Sequence, residues 1–192
     1  MITVNKQYTD SEIISLITET SSQSKGFGIL LDKFQQKVYW QVRKMVVNHD
    51  DANDITQDIF IKIWQKLSNF RGDSQLSTWI FRITYNECIT FIEKKKKKNQ
   101  VGLENYENEF SENFTTDVLI SGDEISLKLE KAIQTLPEKQ KAVFNLKYFE
   151  ELTYEEISEI TQTSVGALKA SYHLAVKKIE YFVNNSEVLH EI

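Results

Sequence analysis

The sequence has few of the residues that interrupt helices. One Pro and six Gly among 192 residues are too few for a sandwich of many short strands, so the scarcity favours an all-α fold of long helices. The single cysteine, Cys88, excludes an internal disulfide and a cysteine-based zinc cluster. The three histidines are scattered and no glycine-rich phosphate loop is present. The sequence therefore predicts no catalytic residue, no metal site, no cofactor and no small-molecule substrate.

Long hydrophobic runs are also missing. No apolar run approaches the roughly 18 residues that a membrane-spanning helix needs. The first ten residues lack the basic start and apolar stretch of a signal peptide. We therefore expect a cytoplasmic protein without membrane insertion.

The net charge of −5 is weak evidence against nucleic-acid binding, because contacts to phosphate need basic side chains. The charges are, however, segregated along the chain. Residues 25–98 carry 14 basic and 8 acidic side chains, whereas residues 99–127 carry seven acids and no base. This distribution predicts a basic first domain followed by a flexible acidic linker.

Hydrophobic spacing divides the chain into two small helical domains. We predict an N-terminal segment with a short helix (1–24), a three-to-four-helix domain (25–98), an acidic linker (99–123), a four-helix domain (124–183) and a tail (184–192). In the first domain, Gly72 marks a loop with positive φ and Ser74 is expected to cap the helix that follows.

The second domain contains a helix-turn-helix pattern over residues 153–179, beginning with a capping box at Thr153 and Glu156. In this layout the second helix enters the major groove of DNA. That helix carries exposed cations, including Lys169, His173 and Lys177, and no acid before Glu180. Two packed helices with solvated charges are the alternative interpretation.

The last helix of the first domain suggests a face for single-stranded DNA. Trp79, Arg82 and Asn86 are spaced three and four apart, next to Thr78 and Tyr85. An aromatic ring can stack on an unpaired base, a guanidinium can bind phosphate and an amide can read a base edge. Membership of Trp79 in the helical core is the competing interpretation, and the lysine run at 94–98 is either a solvated helix end or a contact to duplex phosphates.

Several segments together resemble the extracytoplasmic-function family of RNA polymerase sigma factors. One series is DANDITQDIF at 51–60, FRGDS at 70–74 and TWIFRI at 78–83; the other is LP at 136–137, YFEELTYEEI at 148–157 and VGALK at 165–169. The resemblance covers residues 27–98, matching sigma region 2, and residues 124–182, matching region 4. Family members often carry Arg where Ser171, Leu174 and Val176 stand here, and often have a small residue near Gln162 in the turn.

The resemblance implies partners and site residues. It implies that Asp54, Gln57, Asp58 and Lys62 dock on the clamp helices of core polymerase, and that the helix from Pro137 to Phe149 meets the polymerase flap. It assigns the minus-10 element to Arg71, Asp73, Ser74, Trp79, Arg82 and Asn86, and the minus-35 element to Lys169, Ser171, Tyr172, His173 and Lys177. Promoter DNA and a possible anti-sigma factor are the further partners it implies.

The expected function is therefore that of a sigma factor, which recognises duplex DNA upstream, captures unpaired bases at the minus-10 element and leaves the chemistry to the polymerase. A stand-alone helix-turn-helix regulator is the alternative, but it leaves the motifs of the first domain unexplained. An enzyme is the remaining alternative, and it lacks a convergent set of reactive side chains.

Overall fold

The structure is a computed structural model that describes residues 8–46, 48–70, 72–101 and 124–185. Within these ranges the regular structure is helical, as the scarcity of Pro and Gly predicts. Arg71 and most of the predicted acidic linker lie outside the described residues. The helices are α1 (Asp10–Thr18), α2 (Gln23–Met45), α3 (His49–Lys66), α4 (Leu76–Val101), α5 (Glu124–Gln134), α6 (Glu138–Tyr148), α7 (Tyr154–Thr161) and α8 (Val165–Asn185), with a short 3-10 turn at Leu67–Asn69.

Helices α1 to α4 form the N-terminal unit around buried aliphatic side chains. Leu30, Val38, Ile59, Ile63 and Ile80 have no exposed surface, because each repeats at helical spacing on the inward stripe of its helix. Helix α4 begins at Leu76, one residue later than a cap at Ser74 would place it. The amide of Trp79 donates to the carbonyl of Gln75, so the chain enters the helix at Gln75.

The N-terminal helix α1 belongs to this unit. A capping box at Thr9 and Glu12 starts it, and Ile13 and Ile17 bury its inner face. Gly26 permits the close approach of α1 to α2, since a Cβ at position 26 would lie 2.8 Å from both Ile17 Cγ1 and Leu16 Cβ.

Helices α5 to α8 form the C-terminal unit. Ala132, Ile133, Leu136, Phe144, Ala175 and Ile179 make its inner cluster. The single proline, Pro137, immediately precedes α6, where a residue without a backbone N–H costs no helical hydrogen bond. Helices α7 and α8 have the short-helix, turn, long-helix layout that the sequence predicts.

The two units pack against each other. Helix α4 contacts α7, and α2 contacts α6. One continuous buried cluster joins Ile80, Phe81 and Cys88 of the N-terminal unit with Ala142, Leu146 and Ile157 of the C-terminal unit.

Candidate polymerase and nucleic-acid interfaces

The acidic face of α3 is exposed because its opposite face is in the core. Asn48 caps the helix by accepting a hydrogen bond from the Asp51 amide at 3.0 Å. Asp54, Gln57 and Asp58 are exposed, whereas Lys62 is half-buried and paired with Glu87 of α4. Three of the four residues predicted to meet polymerase therefore share an open surface, and the fourth braces α3 against α4.

A groove beside this face was not predicted from the sequence. It has a volume of about 490 Å³ between α2 and α3 and contains Gln35, Gln36, Asn53 and Gln57. At its rim, the Tyr39 hydroxyl and His49 Nδ1 are 2.7 Å apart, and Asn53 Nδ2 and His49 Nε2 are 3.1 Å apart. Amide side chains are polar, so they add nothing to the hydrophobic periodicity of the sequence. Only the packing of α2 against α3 shows that these side chains line one groove.

The loop before α4 has the backbone geometry that the sequence predicts. Gly72 has a φ of 76°, a conformation that side chains with a Cβ rarely adopt. Asp73 is exposed and Ser74 is half-buried. Their place in the minus-10 contact stays a prediction, as does that of Arg71, which lies outside the described residues.

The predicted single-strand face on α4 is only partly open. Trp79 is half-buried and packs against Phe70, with ring centroids 5.3 Å apart. Arg82 is half-buried and Asn86 is exposed, so both side chains can reach a ligand. Thr78, which the sequence placed beside this face, is 4% exposed and belongs to the core.

The interior side of α4 contains the single thiol. Burial, with a smaller contribution from the charge of Glu87, raises the pKa of Cys88 to about 12. The thiol therefore stays protonated at neutral pH and behaves as a small apolar side chain.

The helix-turn-helix is fixed by local hydrogen bonds. Thr153 and Glu156 form the predicted capping box of α7, with the Glu156 amide 3.2 Å from Thr153 Oγ1. Gln162 ends α7 in the left-handed region, at φ 54° and ψ 39°, and its Nε2 donates to the Glu159 carbonyl at 2.8 Å. The turn thus takes the positive φ that glycine would favour, although the residue is not glycine.

Helix α8 presents basic side chains to solvent. Lys169, His173 and Lys177 are exposed, whereas Ser171 is half-buried. Tyr172 is half-buried, with its ring centroid 5.8 Å from that of Phe144 in a stacked arrangement. Tyr172 therefore also anchors α8 on α6.

The lysine run at the end of α4 is divided between ion pairs and solvent. Lys95 Nζ lies 2.9 Å from Asp51 Oδ2, and Lys96 Nζ lies 2.6 Å from Glu138 Oε1. Lys94, Lys97 and Lys98 are exposed. The run thus both braces the fold and leaves three cations on its surface.

Metal-binding clusters and membrane-spanning helices are absent from the ranges that the structure describes. No set of three or more His, Cys, Asp or Glu side chains in those ranges could hold a metal ion. None of the helices there has the length and apolarity to cross a membrane.

Comparison with known proteins identifies the family. The Sigma-70 region 2 family model matches residues 30–98 and the Sigma-70 region 4 model matches residues 126–179. The chain is 33% identical to the ECF RNA polymerase sigma factor SigW of Bacillus subtilis over 156 residues, 77% of this chain and 83% of that protein. It is 28% identical to the RNA polymerase sigma-H factor of Pseudomonas aeruginosa over 182 residues, 91% of this chain and 93% of that protein.

A solved structure shares the fold. The sigma factor RpoE of Bartonella quintana, determined with the anti-sigma factor NepR, superposes with a TM-score of 0.68 at 20% identity, covering 85% of this chain and 99% of that one. The two matched regions, their order and the relatives that span nearly the whole chain lead to one conclusion: the protein belongs to the extracytoplasmic-function family of RNA polymerase sigma factors, and it is a promoter-directing sigma factor.

Proposed function

We propose that the chain directs core RNA polymerase to promoters by holding duplex DNA at the minus-35 element with α8 and unpaired bases at the minus-10 element with α4. The observation that carries this proposal is the pair of exposed polar faces on the two units. Lys169, His173 and Lys177 form one face, and Arg82 and Asn86 belong to the other. The chain itself performs no catalysis, and it acts in the cytoplasm, where the polymerase is.

The duplex face on α8 attracts DNA through charge. Lys169 and Lys177 project from the exposed side of α8, and each phosphate contact would release counterions from the DNA. Ser171 and Tyr172 are half-buried, so they would contact DNA only with their outer atoms. The main contribution to duplex affinity is therefore assigned to Lys169, His173 and Lys177.

The single-strand face on α4 would capture bases once they leave the duplex. Trp79 is held by Phe70, which fixes the orientation of its ring for stacking. Stacking on an aromatic ring is worth about 1–3 kcal/mol per base, which offsets much of the few kcal/mol needed to unstack one. Because the unpaired strand binds better than the paired one, binding shifts the promoter towards its open form.

Polymerase contacts are assigned to two surfaces. The exposed acids of α3 with Gln57 form the first, facing the clamp helices. The second is the end of α6, where Tyr148 is 52% and Phe149 is 36% exposed. Aromatic side chains of this kind are frequent anchors at protein interfaces, so we assign them to the flap. An anti-sigma factor is a further partner, supported by the complex in which the RpoE neighbour was solved.

Transcription in vitro with purified core polymerase tests the proposal. Promoter-dependent transcripts should form only when the chain is added. Transcript levels that are unchanged by the chain on every promoter of its source genome would contradict the proposal. A stand-alone helix-turn-helix regulator would instead bind duplex promoter DNA tightly without polymerase.

A further inference from the structure

We propose that α8 recognises thymine in the minus-35 element through the C5-methyl group of the base, which Ala170 and Leu174 contact in the major groove. The inference rests on the proposed function and deepens it, because it names the bases that the duplex face recognises. It concerns residues 165–174, which make about three turns at the start of α8. In a helix-turn-helix, the N-terminal residues of the second helix are the ones that reach the base edges.

The outward side of α8 follows from the side chains that anchor the helix. Leu168, Ala175 and Ile179 are buried, so they mark the inward side. At about 3.6 residues per turn, the opposite side of the helix faces away from the protein. The residues on that side are all exposed, and we call them the outer stripe: Gly166, Ala170, His173, Leu174 and Lys177.

The other lysines of α8 lie at the two edges of the outer stripe, beside neighbouring helices. Lys169 Nζ lies 5.8 Å from the centre of the Tyr154 ring of α7. At the opposite edge, Lys178 Nζ donates to Gln140 Oε1 of α6 at 3.1 Å. These amines are therefore placed to meet the phosphates that border the groove, and such contacts position a protein on DNA without reading its sequence.

The outer stripe presents apolar groups where the base edges would lie. Bidentate contacts from Arg or Lys are the commonest way to recognise guanine, and the outer stripe has neither residue before Lys177. Leu174 instead presents an apolar side chain that is 49% exposed, and Ala170 presents a methyl group one turn earlier. Thymine is the base that carries a methyl group on its major-groove edge, and apolar side chains recognise that group by contact.

The start of the outer stripe leaves room for a close approach to DNA. Outside its own helix, a Cβ added to Gly166 would meet nothing within 4 Å among the described residues, and the φ of Gly166 is not positive. Neither packing within the chain nor backbone conformation therefore requires glycine at this position. Glycine lowers helix stability relative to alanine, but it lets a ligand approach the backbone closely. With Ala170 next on the outer stripe, the first turns of α8 can lie deep in the groove.

The spacing of the two apolar side chains predicts the spacing of the thymines. Ala170 and Leu174 lie about 6 Å apart along the helix axis, at about 1.5 Å per residue. Successive base pairs are stacked about 3.4 Å apart, so the two side chains face methyl groups no more than about two base-pair steps apart. Either strand can supply each thymine, because A·T and T·A pairs both present the methyl group in the major groove.

Selection followed by base substitution tests this inference with the holoenzyme, formed from core polymerase and the full chain. Selection of bound duplexes from a promoter library with a randomised minus-35 element identifies the preferred sequence. Each thymine of that sequence is then replaced by deoxyuridine, which removes the C5-methyl group and keeps the hydrogen-bonding groups of the base. We expect affinity to fall about fourfold at each of two positions, as the loss of one buried methyl group predicts.

Variants of α8 assign the two methyl contacts. Leu174→Ala should remove the deoxyuridine penalty at one position and keep it at the other, and Ala170→Gly should have the reverse effect. Leu174→Arg should change the preferred base at its position from thymine to guanine by about tenfold. Tyr181→Ala is the matched control, since Tyr181 is an exposed aromatic residue of the same helix that lies beyond residues 165–174, and both penalties should remain. If Ala170→Gly fails to fold, the two Leu174 variants decide.

The outcomes separate this inference from the proposed function. Deoxyuridine that binds as well as thymine at every position would overturn the inference, and so would a penalty that Leu174→Ala leaves unchanged. A Leu174→Ala variant that binds core polymerase less tightly, with the same loss on every DNA, would show that Leu174 contacts a protein and would also overturn it. In each of these cases the proposed function stands if the holoenzyme still initiates at promoters. A chain that directs no promoter-dependent transcription contradicts the proposed function, and this inference with it.

Discussion

The Nζ of Lys96 lies 2.6 Å from Oε1 of Glu138, and this ion pair links the C-terminal part of α4 to the first turn of α6. Burial alone would raise the pKa of Glu138, but the hydrogen bond from Lys96 and the nearby positive charges hold that pKa below its usual value. The pair is 49% and 35% exposed, so solvent screens much of its attraction. It therefore contributes little to the free energy of unfolding.

The first prediction follows from this exposure. Lys96→Ala should lower the free energy of unfolding by less than about 1 kcal/mol. Urea denaturation of the full chain measures the change. A loss of several kcal/mol would show that the ion pair contributes far more to stability than its exposure implies.

The approach of α1 to α2 predicts opposite effects at two glycines of the same helix. Gly26→Ala should destabilise the protein by about 1–3 kcal/mol, because a Cβ there would overlap Ile17 and Leu16. Gly28→Ala is the matched control, since a Cβ at position 28 meets nothing within 4 Å, and it should stabilise the helix by about 0.5–1 kcal/mol. Thermal unfolding of both variants measures the difference, and equal effects would argue against the tight packing of α1.

The buried amine of Lys141 predicts a pH dependence of stability. Burial lowers the pKa of Lys141 to about 8, against the opposing charge of Glu138. The unfolded chain, with an ordinary lysine pKa of about 10.5, binds more protons between pH 8 and pH 10.5, so the Lys141 contribution to stability rises with pH across that window. Below pH 8 the amine is charged in both states and its burial penalty is fully present.

The raised pKa values of Tyr85, Cys88 and Tyr172 make stability fall as pH rises, which opposes the effect of Lys141. Because the Lys141→Met variant keeps these three residues, the difference in stability between the wild-type chain and the variant isolates the contribution of Lys141. The stability of the wild-type chain relative to the variant should increase by up to about 3 kcal/mol from pH 7.5 to pH 10.5, at about 1.4 kcal/mol per pKa unit. Urea unfolding at several pH values measures it, and a difference that does not vary with pH would refute the assignment.

The cations of α8 predict how salt affects binding to duplex DNA. Lys169→Ala or Lys177→Ala should weaken holoenzyme binding to a minus-35 duplex and reduce the slope of log affinity against log salt by about 1. Lys139→Ala removes an exposed cation from α6 of the same unit and serves as the control. A change in slope as large for Lys139→Ala as for the α8 variants would contradict the assignment of the duplex face.

Much of this architecture could be predicted from the sequence because it depends on local patterns. Three features are encoded by nearby residues, and the structure confirms each of them: the capping box at Thr153, the positive φ of Gly72 and the buried stripes of α2 and α3. Thr78 was placed beside the DNA face but lies in the core, since helical spacing alone does not fix where the edge of a buried stripe falls.

Long-range contacts could not be predicted in this way. The contact between the two units joins residues about a hundred positions apart, such as Met45 and Asn145, and hydrophobic periodicity within a helix does not predict such contacts. The amide-lined groove and the partner of Lys62 likewise depend on how two helices pack. The roles of the individual DNA-contacting residues stay predictions, because they depend on a partner as well as on the fold.

One measurement addresses the central assignment, that α4 binds unpaired bases and α8 binds paired ones. The holoenzyme formed with this chain should bind a promoter whose minus-10 non-template strand is unpaired more tightly than the same promoter fully paired. Asn86→Ala should reduce that preference by about 1–3 kcal/mol while leaving affinity for the paired promoter nearly unchanged, because Asn86 is an exposed residue of α4 and the duplex face is assigned to α8. Equal affinity of the holoenzyme for the two promoters, or equal loss on both in the variant, would contradict the account.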